Sequence, residues 1–166
     1  MIYKNLLIGS LALCASLAQA EDVYIEGTVE ARCMITTDTP GVYGNPSPYE
    51  LSTSSVDGGV VPIIRYDVIT GDYYKAVINY PDNFSNSPTL NDIVTWTGSV
   101  SVDQVSDSLM SDYDTDKIEY NNTTEFGLTI AGTTWFSIDS SAEYGYQTPF
   151  PAGSYTSVVE AECVAL

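Results

Sequence analysis

Apolar and polar residues alternate along two stretches near opposite ends of this chain. Val23, Ile25, Gly27, Val29, Ala31, Cys33 and Ile35 share one face; Tyr24, Glu26, Thr28, Glu30, Arg32 and Met34 take the other. A period of two is that of a half-buried β-strand. The thirteen residues from Val23 to Ile35 would extend roughly 40 Å, more than twice a usual strand. So long a strand is expected to serve more than one pairing partner. Near the other end, Tyr155, Ser157, Val159, Ala161, Cys163 and Ala165 fall on one face. They predict a closing strand that carries the last residues into the core, where chain ends are more often loose and polar.

Between these ends the pattern breaks into short segments. Residues 38–48 hold three prolines and two glycines and read as turns. Residues 49–52 form a short strand candidate. Residues 60–69 are apolar on both faces, with Pro62 marking an edge or a strand start, and Thr70-Gly71-Asp72 turns the chain into residues 73–80. Residues 93–105 alternate most clearly, with Val94, Trp96, Gly98, Val100 and Val102 on one side. Phe126, Leu128 and Ile130 alternate next, and Gly132 leads into residues 134–138. Helical periodicity is confined to one turn near residues 105–110. Short β-rich runs punctuated by Gly, Pro, Asn and Asp predict an all-β sandwich in one domain.

The first twenty residues change the picture of the compartment. Lys4, the apolar run 6–13 and Ala18-Gln19-Ala20 have the layout of a secretory signal peptide, so residues 1–20 are expected to be removed on export. Cys14 leaves with them. Cys33 and Cys163 remain as an even pair in an oxidising compartment, which predicts a disulfide between the first and last strands. The 22 acidic residues against five basic ones give a net charge of −17. Such a surface repels nucleic acid and anionic membranes.

Candidate chemistry is sparse. The chain has no histidine, which removes Ser-His-Asp and Cys-His catalysis and most zinc and haem sites. Phosphate-binding glycine loops and nucleophile elbows are absent, so no enzyme and no cofactor is expected. The carboxylates Asp112, Asp114, Asp116 and Glu119 alternate as Ca²⁺ ligands can. As an EF-hand loop they fail, with Lys117 where glycine is needed and Thr123 where glutamate is needed. A solvated acidic loop is the expectation. Tyr24, Tyr66, Tyr73, Tyr74 and Trp96 suit either a sugar-binding platform or ordinary cross-strand packing.

Two motifs carry a family resemblance. The start, EDVYIEGTVEARCMI, resembles the mature N-terminus of chaperone–usher pilins, especially the colonisation-factor type (α class). The end, PAGSYTSVVEAECVAL, resembles the pilin C-terminal strand through Ala152, Gly153, Tyr155, Val158 and Val159. The run IVTWTGSVSV (residues 93–102) is similar to a central strand of that family's fold. The two cysteines at opposite ends depart from the arrangement of either familiar pilin group. The resemblance implies an immunoglobulin-like β-sandwich that lacks its last strand. A periplasmic chaperone would supply that strand first, and the N-terminal segment of the next subunit would replace it. Residues 21–31 would then be the donor segment, with Val23, Ile25, Gly27 and Val29 filling the neighbour, and residues 32–166 the sandwich domain. The implied role is a structural subunit of a surface fimbria that supports adhesion, with identical subunits, a chaperone, an outer-membrane usher and a surface receptor as partners. The competing readings are a self-contained secreted sandwich binding carbohydrate or Ca²⁺ and, third, a tip adhesin.

Overall fold

The computed structural model describes residues 32–166. Its strands are β1 (Cys33–Thr39), β2 (Gly44–Ser47), β3 (Glu50–Ser52), β4 (Ile63–Val68), β5 (Tyr74–Asn79), β6 (Val94–Val105), β7 (Ile118–Tyr120), β8 (Thr123–Leu128), β9 (Gly132–Tyr144) and β10 (Glu160–Ala165). Among the described residues helix is limited to one short turn, α1 (Tyr113–Asp116), and two 3₁₀ turns, Ser55–Asp57 and Ser108–Met110. Residues 1–20, expected to be a signal peptide, and Val23, Ile25, Gly27 and Val29, expected to be donor residues, lie outside the described residues.

Two antiparallel sheets stack with an immunoglobulin-like layout. In the first, β9 is the spine. β6 pairs with it along nearly its whole length, while β4 and then β3 share its other edge. β1 pairs with β4 and β2 with β3. The second sheet runs β10-β5-β8-β7. Alternation drives this stacking: on β9, Thr134, Phe136, Ile138, Ser140, Ala142 and Tyr144 are all buried, and the residues between them are not. Phe136 meets Phe126 of the opposite sheet at 4.4 Å between ring centres, and Tyr66 edge-on at 5.4 Å. Each such ring removes enough apolar surface from water to stabilise the fold by roughly 1.5–3 kcal/mol.

Four expectations need correction. The strand expected over residues 134–138 is thirteen residues long. The inward hydroxyl of Ser140 lies 3.4 Å from the Tyr43 hydroxyl, while Thr53 bonds the Ser140 backbone N–H and carbonyl at 2.9–3.2 Å. The closing strand begins at Glu160, not Tyr155. In the register that pairs Glu160 with Asn79, Val158 would face Pro81, which has no N–H to donate. On β1, Cys33 is half-buried as expected, but Ile35 is 37% exposed. The turn region 38–48 also holds part of β1 and all of β2.

Glycine is required at two packed positions. Gly132 opens β9 at φ +146°, and a Cβ there would lie 2.6 Å from Met110 Cε. Gly98 on β6 lies under the ring of Tyr80, where a Cβ would come within 2.6 Å of Cδ2.

Candidate functional site

The disulfide between Cys33 and Cys163 is present and joins β1 to β10, with Cα atoms 6.3 Å apart. Among the described strands β1 pairs only with β4, and β10 only with β5. Each therefore presents an outer edge with no strand partner among the described residues. Those two edges belong to different sheets, and the bond fastens them together at one point.

Away from the bridge the sandwich opens into a cleft of about 580 Å³. Its floor is Ile64 of β4, Ser140 of β9 and Thr53, all buried. One wall is Thr37 of β1 followed by residues 40–43; the other is residues 155–159. Pro62 and Pro81 complete the lining. Among the described residues no charged side chain lines it, although the chain carries −17. Apolar side chains stand exposed around it: Ile35, Val42 at 54%, Val60 and Val158 at 57%. Residues 40–43 follow a bulge between Thr37 and Thr39 and are tied down by a bridge from Val42 to Val60.

The second wall is unusual backbone. Thr156 forms a bridge with Asn86, and β10 starts at Glu160. Residues 157–159 belong to no ladder among the described residues, yet Ser157 and Val159 turn half-buried side chains inward. Val159, Ala161 and Cys163 pack against the core while remaining only partly covered. One side chain spans the gap: the hydroxyls of Tyr43 and Ser157 share a hydrogen bond of 2.6 Å. Tyr155 donates to the carbonyl of Pro151 at 2.6 Å, and burial, then the neighbouring Tyr144, raises its pKa. Uncharged walls, a buried floor and unladdered backbone suit an extended apolar segment, which can satisfy main-chain groups and fill space together.

The other sequence candidates are placed apart from this cleft. In the acidic loop, Asp114 accepts from the Val102 N–H at 3.0 Å. The Lys117 ammonium lies 2.9 Å from Glu119 and 3.9 Å from Asp114, and donates to the Val100 carbonyl at 2.9 Å. A lysine thus already sits between two of the four carboxylates. Among the described residues no grouping of three or more His, Cys, Asp or Glu could hold a metal ion. The aromatic platform is not assembled either. Tyr66 is fully buried and donates to the Glu162 carbonyl at 3.1 Å, while Trp96 packs on Phe84 at 4.7 Å between ring centres. Tyr73 is exposed, and Tyr24 lies outside the described residues. Phe84, Phe150 and Tyr155 instead form a small aromatic cluster beside the cleft.

Sequence reading missed Tyr43, Pro62, Ile64 and Ser140. The one available signal was Val42-Tyr43, an apolar pair inside a turn region that had no other need of it. Compared with known proteins, the chain matches no protein-family model, no curated protein and no solved structure.

Proposed function

We propose that this protein is a structural subunit of a surface fimbria, assembled when the N-terminal segment of one copy enters the cleft of the next. The single observation that carries the reading is the apolar-rimmed cleft between Thr37 with residues 40–43 and residues 155–159, uncharged among the described residues, in a strongly acidic chain. An acidic protein gains solubility from every surface carboxylate. A surface stretch with no charge and several exposed valines is costly in water unless something covers it.

The donor on this reading is the alternating segment with Val23, Ile25, Gly27 and Val29. It follows a signal peptide that sends the chain to the periplasm, where a chaperone shields the cleft and an outer-membrane usher exchanges one occupant for the other. Strand addition supplies both parts of the match: main-chain hydrogen bonds for residues 157–159 and apolar side chains for the floor. The protein performs no catalysis on this reading and holds no cofactor; its product is the fibre, which carries adhesion to a surface receptor.

The test is Ile25→Asp in the full-length chain. Wild-type protein is expected to form heat-resistant oligomers, and the variant to remain monomeric, because an unpaired carboxylate in an apolar cleft costs several kcal/mol, about 2–7 by analogy with other unsatisfied polar groups. Wild-type protein that stays a stable monomer at high concentration, with the variant indistinguishable from it, would overturn the proposal in favour of a self-contained sandwich.

A further inference from the structure

The cleft is sealed at one end by a covalent bond. A strand seated between two others needs about 9.6 Å between its neighbours, twice the usual spacing of about 4.8 Å. At the bridge the Cα atoms of Cys33 and Cys163 are 6.3 Å apart, too close to admit a third backbone. Neither cysteine lines the cleft, which begins beyond them at Thr37 and Val159. The chain also joins β1 at this sealed end. The Arg32 carbonyl accepts from the Ile69 N–H at 3.1 Å, so the ladder with β4 continues one residue before Cys33.

An alternating strand has a register problem that the bridge can solve. A slip by one residue turns every apolar side chain to the wrong face, but a slip by two leaves the pattern intact. Val23, Ile25, Gly27 and Val29 alternate without interruption, so hydrophobic pattern alone does not choose between registers two residues apart. The wall at residues 155–159 is about 17 Å long at roughly 3.3 Å per residue. It has room for only part of the segment.

We infer that the disulfide is a register stop: residues 22–29 of a second copy of this chain enter only as far as the Cys33–Cys163 bridge, and the bridge fixes which side chains meet the floor. The inference rests on the strand-donation reading. The occupant is the second copy's N-terminal segment because it has the alternation and exceeds the length of the wall. The segment pairs with residues 157–159, and the outer edge of β10 from Cys163 onward stays bare.

Amide hydrogen exchange on the full-length chain, monomeric and self-associated, tests this. In the native protein, association is expected to slow exchange at residues 157–159 about tenfold or more, and to change the outward amides of residues 163–165 less than about twofold. In chains carrying Cys33→Ala and Cys163→Ala together, the slowed region is expected to spread into residues 163–165. Protection that already reaches residues 163–165 in the native protein overturns the stop and leaves strand donation standing. So does a folded double variant in which protection fails to spread. No slowing at residues 157–159 overturns both readings. The native chain decides two of these outcomes without requiring the double variant to fold.

Discussion

Replacing both bridged cysteines by alanine is expected to cost the isolated protein about 5 kcal/mol, most of it through the unfolded chain. The bond closes a loop with a sequence separation of 130 residues. In the chain-entropy relation a loop of that size loses roughly 17 cal/mol/K when closed, or about 5 kcal/mol at 25 °C. Packing loss is smaller, because both side chains are only half-buried. A penalty of this size equals the entire stability of many domains, which lies near 5–15 kcal/mol. Urea denaturation of the native, single and double variants measures it, with reductant present for the single variants. Either substitution alone already breaks the bond. Each single variant is therefore expected to cost nearly as much as the double one, a strongly non-additive cycle. The dependence on urea is expected to steepen, because the unbridged chain exposes more surface when it unfolds. A double variant within about 1 kcal/mol of native, or two single variants whose costs simply add, would refute the reasoning.

Further outcomes follow from the structure. Gly98→Ala is expected to destabilise by about 1–3 kcal/mol in thermal or urea melts, because the new methyl meets the Tyr80 ring and the Asp139 carbonyl. Tyr66→Phe is expected to cost about 1 kcal/mol at neutral pH through its lost bond to Glu162. It also bears on alkaline stability: burial first, then the charge of Glu162, pushes the Tyr66 hydroxyl well above its ordinary 10.0. The folded state holds that proton longer than the unfolded state does. Its contribution is therefore complete below about pH 10 and declines by up to about 1.4 kcal/mol per pH unit above it, a slope that Tyr66→Phe removes in pH-dependent urea melts. Calorimetry with Ca²⁺ is expected to find nothing tighter than roughly millimolar at the Asp112–Glu119 loop, and Lys117→Gln is expected to lower stability by about 1–2 kcal/mol through the lost charge-assisted bond to Val100.

What could be read from sequence was whatever a single strand determines for itself. On β6, Val94, Trp96, Gly98, Val100 and Val102 all turn inward and their odd-numbered neighbours outward or nearly so, because one face meets the core up to the bulge after Val102. β9 was half legible. Phe136 and Ile138 announced it, but its continuation through Ser140 did not show, since nothing local reveals that Tyr43 and Thr53 on other segments bond that residue. The start of β10 was misplaced for a similar reason: the alternation from Tyr155 is real, while the missing donor belongs to Pro81 on another segment. The disulfide followed from export and counting. The cleft was not legible, because Thr37, Tyr43, Ile64, Ser140 and Val158 come from separate segments and share no pattern along the chain. Only the register of β1 on β4, and the absence of a ladder at residues 157–159, bring them to one place.

The bond between β1 and β10 also decides how the domain carries tension. A pull applied before Cys33 and after Cys163 enters the fold at two strands that are already joined by a covalent bond. The load passes through sulfur, and the 130-residue separation between the cysteines lies off its path. The ladders of β1 with β4 and β10 with β5 bear almost none of it. Under such a pull the described domain can lengthen only by its few residues outside the bridge, and the folded sandwich stays intact until a covalent bond breaks.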